Sequence, residues 1–353
     1  MLLGGTSVGN ALVLAGPISI AAGVDLTIRL GNVIMSGGGD VAGANIRLQQ
    51  GNLFAGANEG IPAHTKLELG ASGAAVLDLA GFNQTLSALT KGAQAATVTN
   101  SMAGGVTSTL SLDSTLGTSI FAGVLADGAS SKLAFAKVGD GVFTLTGANT
   151  FTGATTVSSG TLELRSGGTV IPAGSTITIA PAATLLMSNA NGNVTLAAPL
   201  AGTGTVRIDN NISGAAGARE ASLTGNNIGF TGTLLLQPSG TFAANGTMRL
   251  MSATPSQLGG ATVEVKDRGQ LFLQNGTFAN NLVLSGLGFA DTVNYSGTSA
   301  AVLGFGATYG LGALRLEGAT ATGAVRIDGN AKINAYSSTG ILKGVISSTN
   351  ASD

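Results

Sequence analysis

Apolar and polar positions alternate with a period of two along almost the whole chain. Clear examples are Leu26-Thr27-Ile28-Arg29-Leu30, Leu67-Glu68-Leu69, Val76-Leu77-Asp78-Leu79, Phe143-Thr144-Leu145, Leu162-Glu163-Leu164, Ile177-Thr178-Ile179 and Leu314-Arg315-Leu316. One face of each segment is aliphatic or Phe and the other carries Thr, Ser or an isolated charge, the pattern of a half-buried strand. The segments are three to six residues long and are bounded by Gly, Asn, Asp or Ser, which reach turn conformations at little cost. No stretch of 12 or more residues combines a 3.6-residue period with few glycines. The pattern predicts an all-β protein.

Self-similarity along the chain separates a stacked architecture from a sandwich or barrel. Ile61-Pro62-Ala63-His64-Thr65-Lys66-Leu67-Glu68-Leu69 matches Ile171-Pro172-Ala173-Gly174-Ser175-Thr176-Ile177-Thr178-Ile179, and Val206-Arg207-Ile208-Asp209-Asn210-Asn211 matches Val325-Arg326-Ile327-Asp328-Gly329-Asn330. Leu145–Gly153 matches Leu223–Gly232 with one insertion. Repeats made only of strand and turn predict stacked coils, each of which buries its apolar face against its neighbours. Phe143 and Leu162, like Leu145 and Leu164, are 19 positions apart, which predicts that the second pair lies above the first. Roughly 20–25 residues per coil gives about 14–18 coils, and at ~4.8 Å per coil a rod roughly 70–85 Å long. Residues 1–353 read as one continuous β-helix segment of parallel strands.

Composition sharpens this. Glycine occupies 56 of 353 positions, charged residues are 9%, and there is no Cys or Trp. Zero Cys excludes disulfides, thiolate metal sites and Cys nucleophiles. A formal charge of −1 provides no basic field for nucleic acid or anionic lipid. Residues 1–24 are apolar but lack Lys or Arg near the start and are broken by Gly and Pro, so they do not read as a secretory signal. No run approaches the ~18–20 apolar residues of a membrane helix. The ends of a coil stack expose unpaired strands, which leads us to expect a segment of a longer chain.

Leu77-Asp78-Leu79-Ala80-Gly81-Phe82-Asn83-Gln84-Thr85-Leu86 resembles a segment of bacterial autotransporter passengers. Residues 137–164, from Lys137-Val138-Gly139-Asp140-Gly141 to Gly160-Thr161-Leu162-Glu163-Leu164, resemble the passenger-associated strand repeat of that family, and 223–236 resembles a degenerate second copy. The segments Gly312–Leu316 and Ile341–Ser347 are similar to coils that lead into such repeats. The resemblance implies a right-handed parallel β-helix exported to the bacterial surface. The family's translocator barrel has no counterpart in 1–353. The repeat marks a scaffold rather than a chemistry, since passengers include adhesins, self-association factors, esterases and proteases.

No residue set reads as catalytic, cofactor-binding or metal-ligating. His64 is the sole histidine and its repeat partner is Gly174, so it reads as an exposed turn residue. Asp78, Asp113, Asp127, Asp140, Glu163, Asp209, Glu264, Asp267 and Asp328 are scattered singly and mostly alternate with inward aliphatics, which predicts solvent exposure. Stacking of two of them with Arg207 or Arg326 of neighbouring coils is the less favoured arrangement. Gly37-Gly38-Gly39-Asp40 starts like a calcium-binding nonapeptide, but no array follows and it reads as a turn. Thr144/Thr146, Thr155/Thr156 and Thr176/Thr178 read as outward, solubilising positions, with lattice or glycan binding as the alternative. Asn83, Asn149 and Asn227 are expected to cap corners through side-chain to backbone hydrogen bonds. The expected function is a non-enzymatic surface or secreted scaffold, a stalk or adhesin. Its partners would be further copies, a host or matrix surface and its own longer chain. The competing readings are a polysaccharide-acting lyase or hydrolase, favoured if three or more charged groups converge in one lateral groove, and a trimeric tail-spike or filament subunit.

Overall fold

The computed structural model describes residues 2–4, 11–21, 23–41, 43–165, 170–188, 193–209, 217–238, 246–286, 288, 312–335 and 338–349. Every strand pairing given for them is parallel, and the sheets stack as a β-solenoid. The chain divides into two compact units, one of residues 1–165 and 169–184, the other of 166–168 and 185–353.

In the first unit three faces repeat from coil to coil. One face stacks Leu2–Gly4, Leu26–Leu30, Asn45–Leu48, Lys66–Leu69 and Ala88–Lys91. A second runs from Ala11–Leu14 through Asn32–Met35, Gly51–Ala55, Ala75–Asp78 and Ala96–Thr99 to Val124–Leu125. A third stacks Gln84–Leu86, Thr107–Asp113, Lys132–Val138, Thr155–Val157 and Ile177–Ile179. The second unit repeats Thr205–Asp209, Thr233–Leu236, Thr262–Val265, Leu282–Gly286, Val325–Ala331 and Ile346–Ser348 on one face. Another face carries Val194–Leu196, Gly217–Leu223, Gly246–Ser252, Gly269–Phe278, Leu314–Ala321 and Ile333–Asn334. The short 3₁₀ turns Ser114–Leu116 and Pro255–Gln257 are the helical elements among the described residues.

The core follows the alternation. Leu67, Leu69, Leu77, Leu79 and Leu86 are fully buried within one coil, each contributing ~1.5–3 kcal/mol gross. Phe143 pairs with Leu162 and Leu145 with Leu164, the register that the 19-residue spacing predicts. Phe135 stacks on Phe143 with centroids 5.6 Å apart.

The coil length departs from expectation. Register offsets run from 19 (Phe143 with Leu162) to 29 (Thr233 with Thr262), and Leu271 pairs with Leu314, 43 positions on. The turns number about 13, fewer than the 14–18 expected. The reason is physical: only the ladder strands must repeat in length, while corners accept insertions.

Two of the three sequence repeats differ in kind. Val206–Asp209 and Val325–Asp328 occupy the same face of the second unit, although Asn210 and Asn211 lie outside the described residues. Lys66–Leu69 and Ile177–Ile179 instead lie on different faces. What they share is the preceding turn, closed by the Thr65 hydroxyl to Pro62 O at 2.6 Å and by Ser175 N to Pro172 O at 3.0 Å.

Candidate functional site

The coil at 135–164 is built around polar groups that serve the backbone. The inward column Leu112, Lys137, Val157, Ile179 is aliphatic except for Lys137, which is fully buried. Its ammonium donates to the carbonyls of Val138 (2.8 Å), Gly139 (2.7 Å) and Ser159 (3.3 Å), closing the corner. Burial lowers its pKa below 10.5, opposed by the charges of Asp113 and Asp140. The alternation Phe135-Ala136-Lys137 places this lysine inward, a signal present in the sequence itself.

Asn149 is the second device. Its Oδ1 accepts from Leu125 N at 2.8 Å, and its Nδ2 donates to Val170 O at 2.7 Å and Gly147 O at 3.2 Å. One buried amide thus replaces ladder bonds to the coils on either side. Asn227 does the same in the second unit, accepting from Leu200 N at 2.8 Å and donating to Gln257 O at 2.7 Å. Phe151 and Phe230 are both fully buried, two and three residues beyond these asparagines respectively. Asn83 is exposed and accepts from Thr109 N at 2.8 Å. Two further corner asparagines were missed. Asn100 accepts from Gly81 N and donates to Val106 O and Lys132 O, and Asn280 donates to Gly259 O and Ala261 O.

Several predicted solvent-facing residues are buried. Asp78 is 4% exposed because its Oδ1 accepts from both Ala80 N and Ser101 N at 2.9 Å. Glu163 and Asp209 are covered by arginines two positions on or back, Arg165 at 2.7 Å and Arg207 at 2.8 Å. Thr144 is buried beneath that pair, donating to Glu163 at 2.8 Å, and Thr155 points inward to Ser175. Thr176 and Thr178 are exposed. Gly39–Asp40 forms a two-residue strand rather than part of a turn.

The remaining candidates are dispersed. His64 is an exposed turn residue with φ 57°, its Nδ1 3.0 Å from Asp40. Asp113 accepts from Thr115 N, and Asp127 accepts from Leu133 N and Thr152. Glu264 pairs with Lys266, and Asp140 and Asp267 are exposed. Arg207 pairs with Asp209 and Arg326 with Asp328, each on its own strand rather than across coils. The Arg326 pair holds Asp328 below its ordinary value through its hydrogen bond, and raises Arg326 in turn. Among the described residues, no three His, Cys, Asp or Glu side chains are grouped to hold a metal ion.

Charges converge on the first face of the first unit. Arg47 bridges Asp25 (3.2 Å) on the coil before it and Glu68 (3.3 Å) on the coil after it. Arg47, Lys66 and Glu68 line a shallow groove that ends at Thr118 and Ser119.

Comparison with protein families matches residues 135–164 to the passenger-associated-transport-repeat. The comparisons with curated proteins and with solved structures found no match. The repeat and the parallel solenoid around it fit an autotransporter passenger domain. They support a passenger scaffold in general and point to a surface or secreted protein. No described helix is long and apolar enough to cross a membrane.

Proposed function

We propose that this chain is a non-catalytic passenger scaffold of the bacterial cell surface, tethered at the outer membrane through a translocator. It acts there as a stalk or adhesin whose copies associate laterally. The observation that carries this reading is the passenger-associated repeat at 135–164. Two features support it. The near-zero net charge suits association by shape and hydrogen bonding. The buried carboxylates Asp78, Glu163 and Asp209 are committed to backbone amides or arginines. The test is binding of the purified chain to host cells and matrix-coated surfaces, with sedimentation across a concentration range. Retention on either surface or concentration-dependent association supports the reading. Neither result would remove adhesion and leave a passive stalk. Protease shaving of intact producing cells checks surface display.

The groove lined by Arg47, Lys66 and Glu68, with Asp25 paired to Arg47 from the coil before, favours the polysaccharide-acting enzyme as a second reading. Paired-acid hydrolysis needs two carboxylates flanking the scissile bond, and here both are engaged by one arginine. Release of reducing ends or unsaturated products from pectin-like polymers with added calcium, abolished by Glu68→Gln, would replace the scaffold reading with this one.

A further inference from the structure

On one face of the second unit the outward positions form two columns. The ladder registers Arg207 with Leu235, Leu235 with Glu264, Glu264 with Val283 and Val283 with Arg326. Two residues further along the same strands stand Asp209, Gln237, Lys266, Ser285 and Asp328. Charged and neutral coils therefore alternate. The polarity also reverses from one charged coil to the next: Arg207 with Asp209, then Glu264 with Lys266, then Arg326 with Asp328. Each pair closes along its own strand, at 2.8, 3.3 and 2.9 Å respectively. The pattern is continuous across the neutral coil between the last two, where Glu264 acts on the Arg326 charge and Lys266 on that of Asp328.

These charges can be reached from outside. Side-chain exposure is 28% at Glu264, 40% at Lys266, 50% at Arg326 and 32% at Asp328. A pair closed along one strand still presents an outer edge, on which each member can take a second partner of opposite sign. A second copy related by a twofold axis along the coil stack sets the first column of each copy against the second column of the other. Glu264 then meets the partner's Lys266, and Arg326 the partner's Asp328. The half-exposed Arg207 comes over the partner's Asp209 in the same register. Every charged contact is between opposite signs, which is the condition for a specific encounter. An antiparallel twofold through the Val283 coil would instead set Glu264 against the partner's Arg326, and would leave the Arg207 coil beyond the Ile346–Ser348 strand with no charged counterpart. A formal charge of −1 opposes neither approach.

We propose that copies of this chain associate laterally through this face, side by side and pointing the same way. The proposal rests on the passenger reading, under which copies displayed on one cell share an orientation. The experiment is sedimentation of the purified full chain at rising concentration, with Arg326→Glu, with Asp328→Lys, with an equimolar mixture of the two variants, and with both substitutions in one chain. Circular dichroism checks that each variant is folded. Each single variant should associate about thirtyfold more weakly than wild type, because two contacts per dimer turn from attraction to repulsion. The mixture and the double variant restore opposite signs at both contacts and should recover wild-type association. Sodium chloride at about 1 M should weaken the wild-type association, since the charges are exposed. Wild-type association in both single variants, or no recovery in the mixture and the double variant, overturns this face and leaves lateral association by another route standing. A wild-type chain that stays monomeric at every concentration overturns the face and removes lateral association from the passenger reading, whose adhesive part is tested separately on cells and matrix.

Discussion

Replacing Asn149 with Ala isolates the device that ties three successive coils together. The substitution removes the acceptor for Leu125 N and the donor to Val170 O, both buried, together with the weaker bond to Gly147 O. Each buried backbone group left without a partner costs about 1–3 kcal/mol, so the expected loss is about 2–5 kcal/mol. Solenoid stability is close to a sum of local and nearest-neighbour contributions. The loss should therefore appear as local opening, read by native-state hydrogen exchange at the Leu125 amide and by an earlier urea transition. Asn83→Ala is the control, since Asn83 is exposed and donates no such bridge; it should cost under about 1 kcal/mol. Asn149→Asp keeps the acceptor for Leu125 but directs a carboxylate at two carbonyl oxygens. Burial there raises the aspartate pKa in the folded state, so the folded state binds more protons than the unfolded one. The variant should lose stability as pH rises above the ordinary carboxylate range. An Asn149→Ala protein with unchanged Leu125 exchange and less than about 0.5 kcal/mol lost would refute the bridging argument.

Three further outcomes are expected. Lys137 has a lowered pKa in the folded state, so between that value and 10.5 the unfolded chain binds more protons. Its contribution to stability should rise with pH across that window, and the difference in urea midpoint between wild type and Lys137→Met should change accordingly. Gly147→Ala places a Cβ against the Gly123 carbonyl oxygen; backbone displacement should cost about 1–3 kcal/mol, measured by urea unfolding. Arg47→Ala removes two exposed ion pairs and should change stability by less than about 1 kcal/mol, so a larger loss would make the groove charges structural.

Alternation in the sequence was sufficient for the strands, for their burial and for the stacking of Phe143 under Leu162, because a coil buries its apolar face only against its neighbours. Turn-forming residues marked the corners, and Asn149 and Asn227 were legible there because an amide both donates and accepts. Solvent exposure of the charged positions was not legible. Alternation assigns Glu163 and Asp209 to the outer face correctly, but only tertiary packing folds Arg165 and Arg207 over them. Coil length also escaped the sequence, since corner insertions leave no periodic trace, and this is why the chain makes about 13 turns rather than the roughly 14–18 expected from a coil of about 20–25 residues. That no ladder joins the neighbouring strands Ala88–Lys91 and Ser119–Phe121, among the described residues, belongs to tertiary structure alone. Both segments alternate like their neighbours, and whether two adjacent strands join a ladder depends on the path taken through Ser114–Gly117 between them.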